Sequence, residues 1–329
     1  MVTYPLENIL DEFSLTTKIL GLNISGKKTI AVYGDMSGLV YERMQIETPA
    51  ELPFLEGFDA ICAMSDKLLK VCRAQGLSSP EVISLAVSGP VDLLKGVVLS
   101  PPDLPLWEEG QLKGRFSVRY NLPVFIEHRS RAAALAEYHF GVGVGVDNLI
   151  LIDLEPVVTA GLILNGKVYH GANDAAGEVG RLGLSEKGPA GLGEPGSLTG
   201  FASGMGMAEL AALRFPKHWT EPPDPYALVQ AVNEGDEDAL TVVREAAGYL
   251  GKALSWVTLT LDPELIILGH PGDVLGDALL TPLREEFIRY SGGEERQFPR
   301  LALSALGSKL DDTAALMAVI DPFRTRGLD

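Results

Sequence analysis

Five consecutive residues, Glu127-His128-Arg129-Ser130-Arg131, place a carboxylate, an imidazole and two guanidiniums directly after the apolar run 123–126. A second charged pair, Glu178 and Arg181, lies in the glycine-containing stretch 177–184, and Thr199 follows the Gly/Pro-rich stretch 188–196. A carboxylate beside guanidiniums suits two uses. Glu178 closes with Arg129 or Arg181 as an internal ion pair, because arginine meets carboxylate in a bidentate way. Or the groups bind a hydroxylated or anionic small molecule. General-base work is outside the reach of Arg129, since a guanidinium stays protonated at working pH and accepts no proton. His128 carries an imidazole able to take up a proton, and geometry comes before pKa in such a role. Trp107, after a proline-rich loop, is either a wall of such a site or ordinary packing. His139 and His170, at element ends, read as structural, and His218 beside Trp219 reads as surface.

Cysteine use limits the chemistry further. The chain has two, Cys62 and Cys72, with no C-x-x-C, so a disulfide framework and a cysteine-rich metal site are excluded. Of the 329 residues, 46% are hydrophobic and 22% charged, which excludes a disordered chain and allows one large domain or two. The net charge of −17 repels phosphate backbones and argues against direct nucleic-acid binding. Apolar runs such as 149–152 and 265–268 fall short of the roughly 20 residues of a membrane span. Met1-Val-Thr-Tyr-Pro lacks the pattern of an export leader. The expectation is a cytoplasmic protein with reduced cysteines and no membrane partner.

The elements that must position these residues come in two cycles. Alternation over 19–33 around Ser25-Gly26-Lys27-Lys28 predicts a β-hairpin, and 39–46 a third strand. Helical spacing of Ile61, Met64, Leu68, Leu69 and Cys72 predicts a helix over 58–75. Strands are predicted over 83–87, 94–99 and 123–126, and helices over 111–120 and 130–140. The second cycle opens with strands 148–154 and 159–164 and the turn signal Asn165-Gly166. Helices 206–213, 226–233 and 238–261, strand 265–268, helix 277–290, strand 301–305 and a closing helix 313–320 complete it. Six acids and no bases over 221–238 mark a solvated face. The repeated βββαβα plan predicts a duplicated α/β fold with a cleft between the halves.

Taken in order, several motifs resemble the ROK family of bacterial sugar kinases and related sugar-responsive repressors, over about residues 19–320. Ser88-Gly89-Pro90-Val91-Asp92 with Gly96-Val97-Val98 and Pro102-Asp103-Leu104 resembles the family's G-P-V-D, G-V-V and P-N-L run. The helix Ala132-Ala133-Ala134-Leu135-Ala136-Glu137, the hairpin Ala160–Tyr169 with Gly171-Ala172-Asn173, the segment Ala176-Gly177-Glu178-Val179-Gly180 and the start Ala202-Ser203-Gly204 follow in the family's order. The resemblance implies a duplicated actin-like ATPase (ribonuclease H-like) fold, two domains with an interdomain cleft, and a homodimer. It suggests an extension over 1–18, a smaller domain over 19–122, a larger one over 123–310, and a closing helix at about 311–322 that packs on the smaller. Residues 1–18 are too few for a helix-turn-helix, so regulation of DNA would need a separate partner.

The same resemblance marks where the chain departs from a kinase. Phosphoryl transfer needs a carboxylate base, acids for Mg²⁺ and glycine-rich turns whose N–H groups hold phosphates. The family's first hairpin, D-x-G-G-T, reads Asn23-Ile24-Ser25-Gly26-Lys27, which loses the acid and one glycine. In the second, G-T-G-x-G-x-G, only Gly161 survives, behind Glu155 and Pro156. Arg129 stands at the catalytic aspartate position of E-N-D-x-N. Arg181 replaces the histidine of A-G-E-x-G-H, Thr199 replaces the terminal sugar-binding glutamate, and the zinc segment holds no cysteine. Its loop must then be held by proline rigidity and packing. Gly269-His270-Pro271-Gly272 stands at the adenine-side turn, and Asp312 or Thr313 reads as a helix cap. The degenerate phosphate-site positions are therefore Asn23, Ser25, Gly26, Gly161 and Gly269. Sugar-site candidates are His128, Arg129, Glu178, Arg181 and Thr199, with no catalytic residue, metal, ATP–Mg²⁺ or structural zinc expected. The resulting expectation is a catalytically impaired, sugar- or sugar-derivative-binding sensor. An active ATP-dependent hexose or amino-sugar kinase, and a ligand-free oligomeric scaffold, are the alternatives.

Overall fold

Two stretches of strand-forming sequence build two five-stranded sheets of the same plan in the computed structural model, which describes residues 9–292 and 298–326. In the first, β1 (Lys18–Ile24), β2 (Lys28–Asp35) and β3 (Val40–Glu47) pair antiparallel, and β4 (Val82–Val87) and β7 (Val124–His128) add in parallel, in the order β3-β2-β1-β4-β7. Between them, β5 (Val91–Asp92) and β6 (Val97–Val98) form a small hairpin. In the second sheet β8 (Leu149–Asp153), β9 (Thr159–Leu164) and β10 (Lys167–Val168) are antiparallel. β11 (Leu265–Leu268) and β12 (Arg300–Leu303) then add in parallel, in the order β10-β9-β8-β11-β12. Two antiparallel pairings followed by two parallel ones recur in each sheet, so the fold is duplicated, as the sequence predicts.

The first unit comprises the described residues up to Phe140, Gly171–Asp174 and the chain from Ser308 onward. Val-Ile-Ser-Leu-Ala-Val of β4 is wholly buried, as a parallel strand covered on both faces requires. On β3 Tyr41, Arg43, Gln45 and Glu47 are exposed in alternation, and the charges among them blunt that edge. One sheet face is covered by α1 (Phe54–Ala74), which buries Phe58, Ile61, Met64, Leu68 and Cys72. Trp107 is fully buried among the same side chains, 5.6 Å from Phe54, so it is core and not the wall of a site. α2 (Leu112–Tyr120) adds Phe116 to this core. α10 (Leu310–Thr325) packs on β1, β2, β4 and α3 (Arg129–Phe140). Its approach to β1 needs Gly21, where a Cβ would lie 2.8 Å from the Ala315 carbonyl oxygen. The alanine run of α3 is buried as well, and its short side chains let the helices come close.

The second unit comprises Gly141–His170 and Ala175–Gly307. It carries α4 (Leu198–Ala202), α5 (Gly204–Arg214), α6 (Pro225–Asn233), α7 (Glu237–Leu261), α8 (Gly272–Leu275) and α9 (Asp277–Tyr290). Ser197, Ser203, Asp224 and Asp236 cap α4, α5, α6 and α7 by accepting a first-turn N–H. α7 and α9 pack together and bury Leu250, Leu254, Leu283 and Phe287.

Some expectations need correction. The domain boundary falls after Phe140, not before Pro123, because β7 pairs with β4 and α3 packs on α10. α10 starts at Leu310, so Asp312 and Thr313 lie inside its first turn and neither is the cap. α1 starts four residues before Phe58, and the short α4 and α8 carry too few residues to show a period. The extension expected over 1–18 lies outside the described residues for 1–8. Leu10 is buried and accepts a hydrogen bond from the Arg326 guanidinium. No described helix is long and apolar enough to cross a membrane.

Candidate functional site

In the first unit the site candidates gather at the β1–β2 turn and at the β7–α3 junction. Ser25 closes the turn: its N–H and its hydroxyl both donate to the Lys28 carbonyl, at 3.1 and 3.0 Å. The Gly26 N–H, the kind of donor that would face a phosphate, instead donates to the Asp103 carboxylate at 2.6 Å. A Cβ on Gly26 would lie 1.9 Å from the Asp103 carbonyl oxygen, so the proline-rich loop rests directly on this glycine. Asn23, in β1, turns its amide to Asp311, donating to the backbone carbonyl at 3.1 Å and to Oδ1 at 3.3 Å. Asp311 also takes the Lys28 ammonium at 2.7 Å and stands 3.8 Å from the Arg129 guanidinium. Arg43 pairs with the neighbouring Asp312 at 2.7 Å.

Arg129 is the first residue of α3 and His128 the last of β7. The His128 ring is buried, with Gly89 so close that a Cβ there would lie 2.3 Å from Cδ2. Ser130 N–H donates to Nδ1 at 3.2 Å, which places the ring proton on Nε2. Burial, reinforced by the Arg131 charge, holds the imidazole pKa down at about 3. The ring is neutral at working pH and too weakly basic to draw a proton from a sugar hydroxyl. Below it lies a buried ion pair, Arg131 Nε to Glu127 Oε1 at 2.6 Å. The same carboxylate oxygen accepts the His128 N–H, and Arg131 Nη1 donates to the Asp174 carbonyl.

In the second unit the β8–β9 turn is engaged differently. Val158 N–H donates to the Thr199 hydroxyl at 3.2 Å, and Ala160 N–H to the Gly177 carbonyl at 2.7 Å. Thr199 is therefore a buried support of the turn. Gly161 lies within β9, opposite Leu151, next to Ala160, and like Ala160 it follows the turn proper. Gly269 N–H continues the ladder to the Ile152 carbonyl at 2.8 Å. Beside it His270 Nδ1 donates to the Asp273 carboxylate, 3.1 Å away, and the ring stands 3.9 Å from Glu155. Burial works against its charge, but the Asp273 hydrogen bond and the Glu155 carboxylate outweigh that and raise its pKa. Glu178 pairs with Arg181 at 2.9 Å, but 70% of the Arg181 side chain is exposed, so this pair lies on the surface of its unit and fills no pocket there. The loop 188–196 is held by more than proline packing: Ala190 and Gly191 N–H donate to Glu209 at 2.8 and 3.1 Å.

Within the first unit the structure thus joins Asn23 and Arg129 through Asp311 and sets Gly26 on Asp103. Within the second it joins Glu178 to Arg181 and Thr199 to the β8–β9 turn. Asp311 and Glu209 were not singled out in the sequence, Asp103 stood there only within a motif, and Arg131 only beside Arg129. A partner 77 positions away, as Asp103 is from Gly26, leaves no periodic signal.

This duplicated sheet plan, with its hairpins and the β7–α3 junction, has relatives. The sequence profile of the ROK family matches residues 19–319. The chain belongs to the ROK family. A glucokinase of Halalkalibacterium halodurans is 27% identical over 289 residues, covering 83% of this chain and 86% of that protein. A xylose repressor of Caldicellulosiruptor bescii is 28% identical over 248 residues, covering 72% of this chain and 61% of the repressor. The structure of a ROK family glucokinase from Streptomyces griseus, in complex with glucose and AMPPNP, superposes with a TM-score of 0.79 at 28% identity, covering 91% of this chain and 97% of that one. The ROK hexokinase of Thermus thermophilus gives 0.71 at 27%, covering 92% and 97%. The fold is the actin-like ATPase fold of the ROK sugar kinases, and relatives of this ROK chain include both kinases and repressors.

Proposed function

We propose that this ROK protein binds a sugar or an anionic sugar derivative and acts through that binding, without phosphoryl transfer. The observation that carries the reading is the β7–α3 junction. Arg129 stands where the family's catalytic aspartate is expected, beside Asp311, and the adjacent His128 is a neutral, buried imidazole of very low basicity. Neither Arg129 nor His128 takes up the proton that a sugar hydroxyl must lose. The turns support the same reading. Gly26 N–H is spent on Asp103, and Val158 and Ala160 N–H on Thr199 and Gly177, so these amides are not offered to phosphates. ATP, Mg²⁺ and zinc have no part in this reading.

A specific observation favours a second reading, an ATP-dependent sugar kinase: the likeness to curated glucokinases runs along 83% of the chain. Titration calorimetry without nucleotide tests the first reading, using hexoses, amino sugars, hexuronic acids and hexose phosphates as the panel. Saturable binding of at least one compound, with a melting-temperature rise of the kind mass action demands, about 2.7 kcal/mol at a hundredfold excess over Kd, is the expected result. A flat response to the whole panel sinks the sensor and leaves the scaffold.

A further inference from the structure

Loop 188–196 contains four glycines and two prolines, a composition that leaves a free chain many conformations. Here it follows one defined path. Glu209, one turn into α5 from Met205, sends its carboxylate back over the loop, and a single oxygen, Oε2, accepts from Ala190 N–H at 2.8 Å and from Gly191 N–H at 3.1 Å. Order then spreads from that point by hydrogen bonds. Gly193 N–H donates to the Ala190 carbonyl at 2.8 Å, and Gly196 N–H to the Pro189 carbonyl at 3.1 Å. The Gly196 carbonyl in turn accepts from Leu184 and Ser185 N–H, at 3.0 and 3.1 Å, and Leu198 N–H returns to the Leu182 carbonyl at 2.9 Å. The path is also tight. A Cβ on Gly200 would lie 1.9 Å from the Pro189 carbonyl oxygen, and one on Gly196 2.2 Å from that of Ser185. No cysteine or histidine occurs between Gly183 and Leu198, so the loop offers none of the donors that the family's zinc segment uses.

We propose that in this chain the Glu209 carboxylate stands in for a structural metal, ordering loop 188–196 together with the loop's own backbone bonds and acting as the positioning residue for the stretch that runs from Arg181 to Thr199. A carboxylate oxygen shared by two backbone donors is a charge-assisted clamp, stronger than the neutral bonds around it. It needs no cation and is indifferent to chelators.

Hydrogen–deuterium exchange of the full-length protein, with and without EDTA, tests this together with metal analysis of the purified chain. The expected results are zinc far below one per chain, no effect of EDTA on exchange over 188–196, and exchange at Ala190 and Gly191 that rises about tenfold or more in E209A while α7 is unchanged. E209Q keeps most of the protection, because its amide oxygen still accepts. One tightly held zinc whose removal frees the loop, or E209A exchange at the wild-type rate, overturns the proposal. Should E209A fail to fold, E209D, which withdraws the carboxylate by one methylene, and the EDTA arm decide in its place. These readouts do not depend on sugar binding, so they stand apart from the proposed function.

Discussion

The β1–β2 and β8–β9 turns occupy equivalent places in the two duplicated sheets, yet their donors are consumed in different currencies. The first turn is sealed by charge: Asp103 on Gly26, and Asp311 gathering Lys28, Asn23 and the approach of Arg129. The second is sealed mostly by neutral bonds, from Val158 to Thr199 and from Ala160 to Gly177, with one imidazole between carboxylates at its flank. One scaffold can satisfy the amides of its hairpin turns by ionic or by neutral means. The ionic route also leaves a permanent positive charge at the β7–α3 junction.

The largest expected effect bears on the ionic side. Glu127→Ala leaves the Arg131 guanidinium buried without its counter-charge and costs about 3–5 kcal/mol in a urea melt. A loss under 1 kcal/mol would mean that the buried pair does not hold the junction. Next come the two turns themselves. Asp311→Ala removes the hub of the first turn at about 1–2 kcal/mol, discounted because Lys28 is partly exposed, and the loss shrinks in molar salt. Thr199→Val strands the Val158 N–H at a comparable cost, about 1–3 kcal/mol, which salt leaves unchanged. Equal salt responses would erase the distinction between the two turns.

Acid and base should also separate them. His128 has a folded pKa far below its unfolded value, so the unfolded chain takes up its proton first and stability falls as pH drops below the ordinary histidine range. His270 has a raised folded pKa, so its contribution is complete below the unfolded pKa and fades as pH climbs through the folded one. His270→Asn should therefore flatten the alkaline limb of a stability–pH profile, and His128→Asn the acid limb. Identical changes in both variants would refute the assignment. The smallest effect is expected at Arg181→Ala, within about 0.5 kcal/mol, because the Glu178 pair is exposed.

How much of this was legible beforehand depends on the range of the interaction. β9, β11 and α9 match the sequence expectation residue for residue, because alternation, a short apolar run and helical spacing are local signals. That Arg129 accepts no proton is readable from its residue type alone. The helix starts at Phe54 and Leu310 were not, since Pro53 and Lys309 at their caps make no side-chain capping bond. Nor were Asp103 and Glu209 visible, because a carboxylate that caps a distant turn resembles any surface acid until the chain is folded. Trp107 shows the reverse: a residue suited to a binding wall is plain core once Phe54 and Gly57 close around it.

Sugar-dependent ADP release in the presence of Mg²⁺, followed across hexoses and amino sugars, is the most direct test of a silent junction at Arg129. Rates indistinguishable from the no-sugar control, for a protein that still shows a ligand-induced rise in melting temperature, are the expected result. Robust turnover that disappears in Glu178→Ala would contradict it and make this chain a kinase with a base elsewhere.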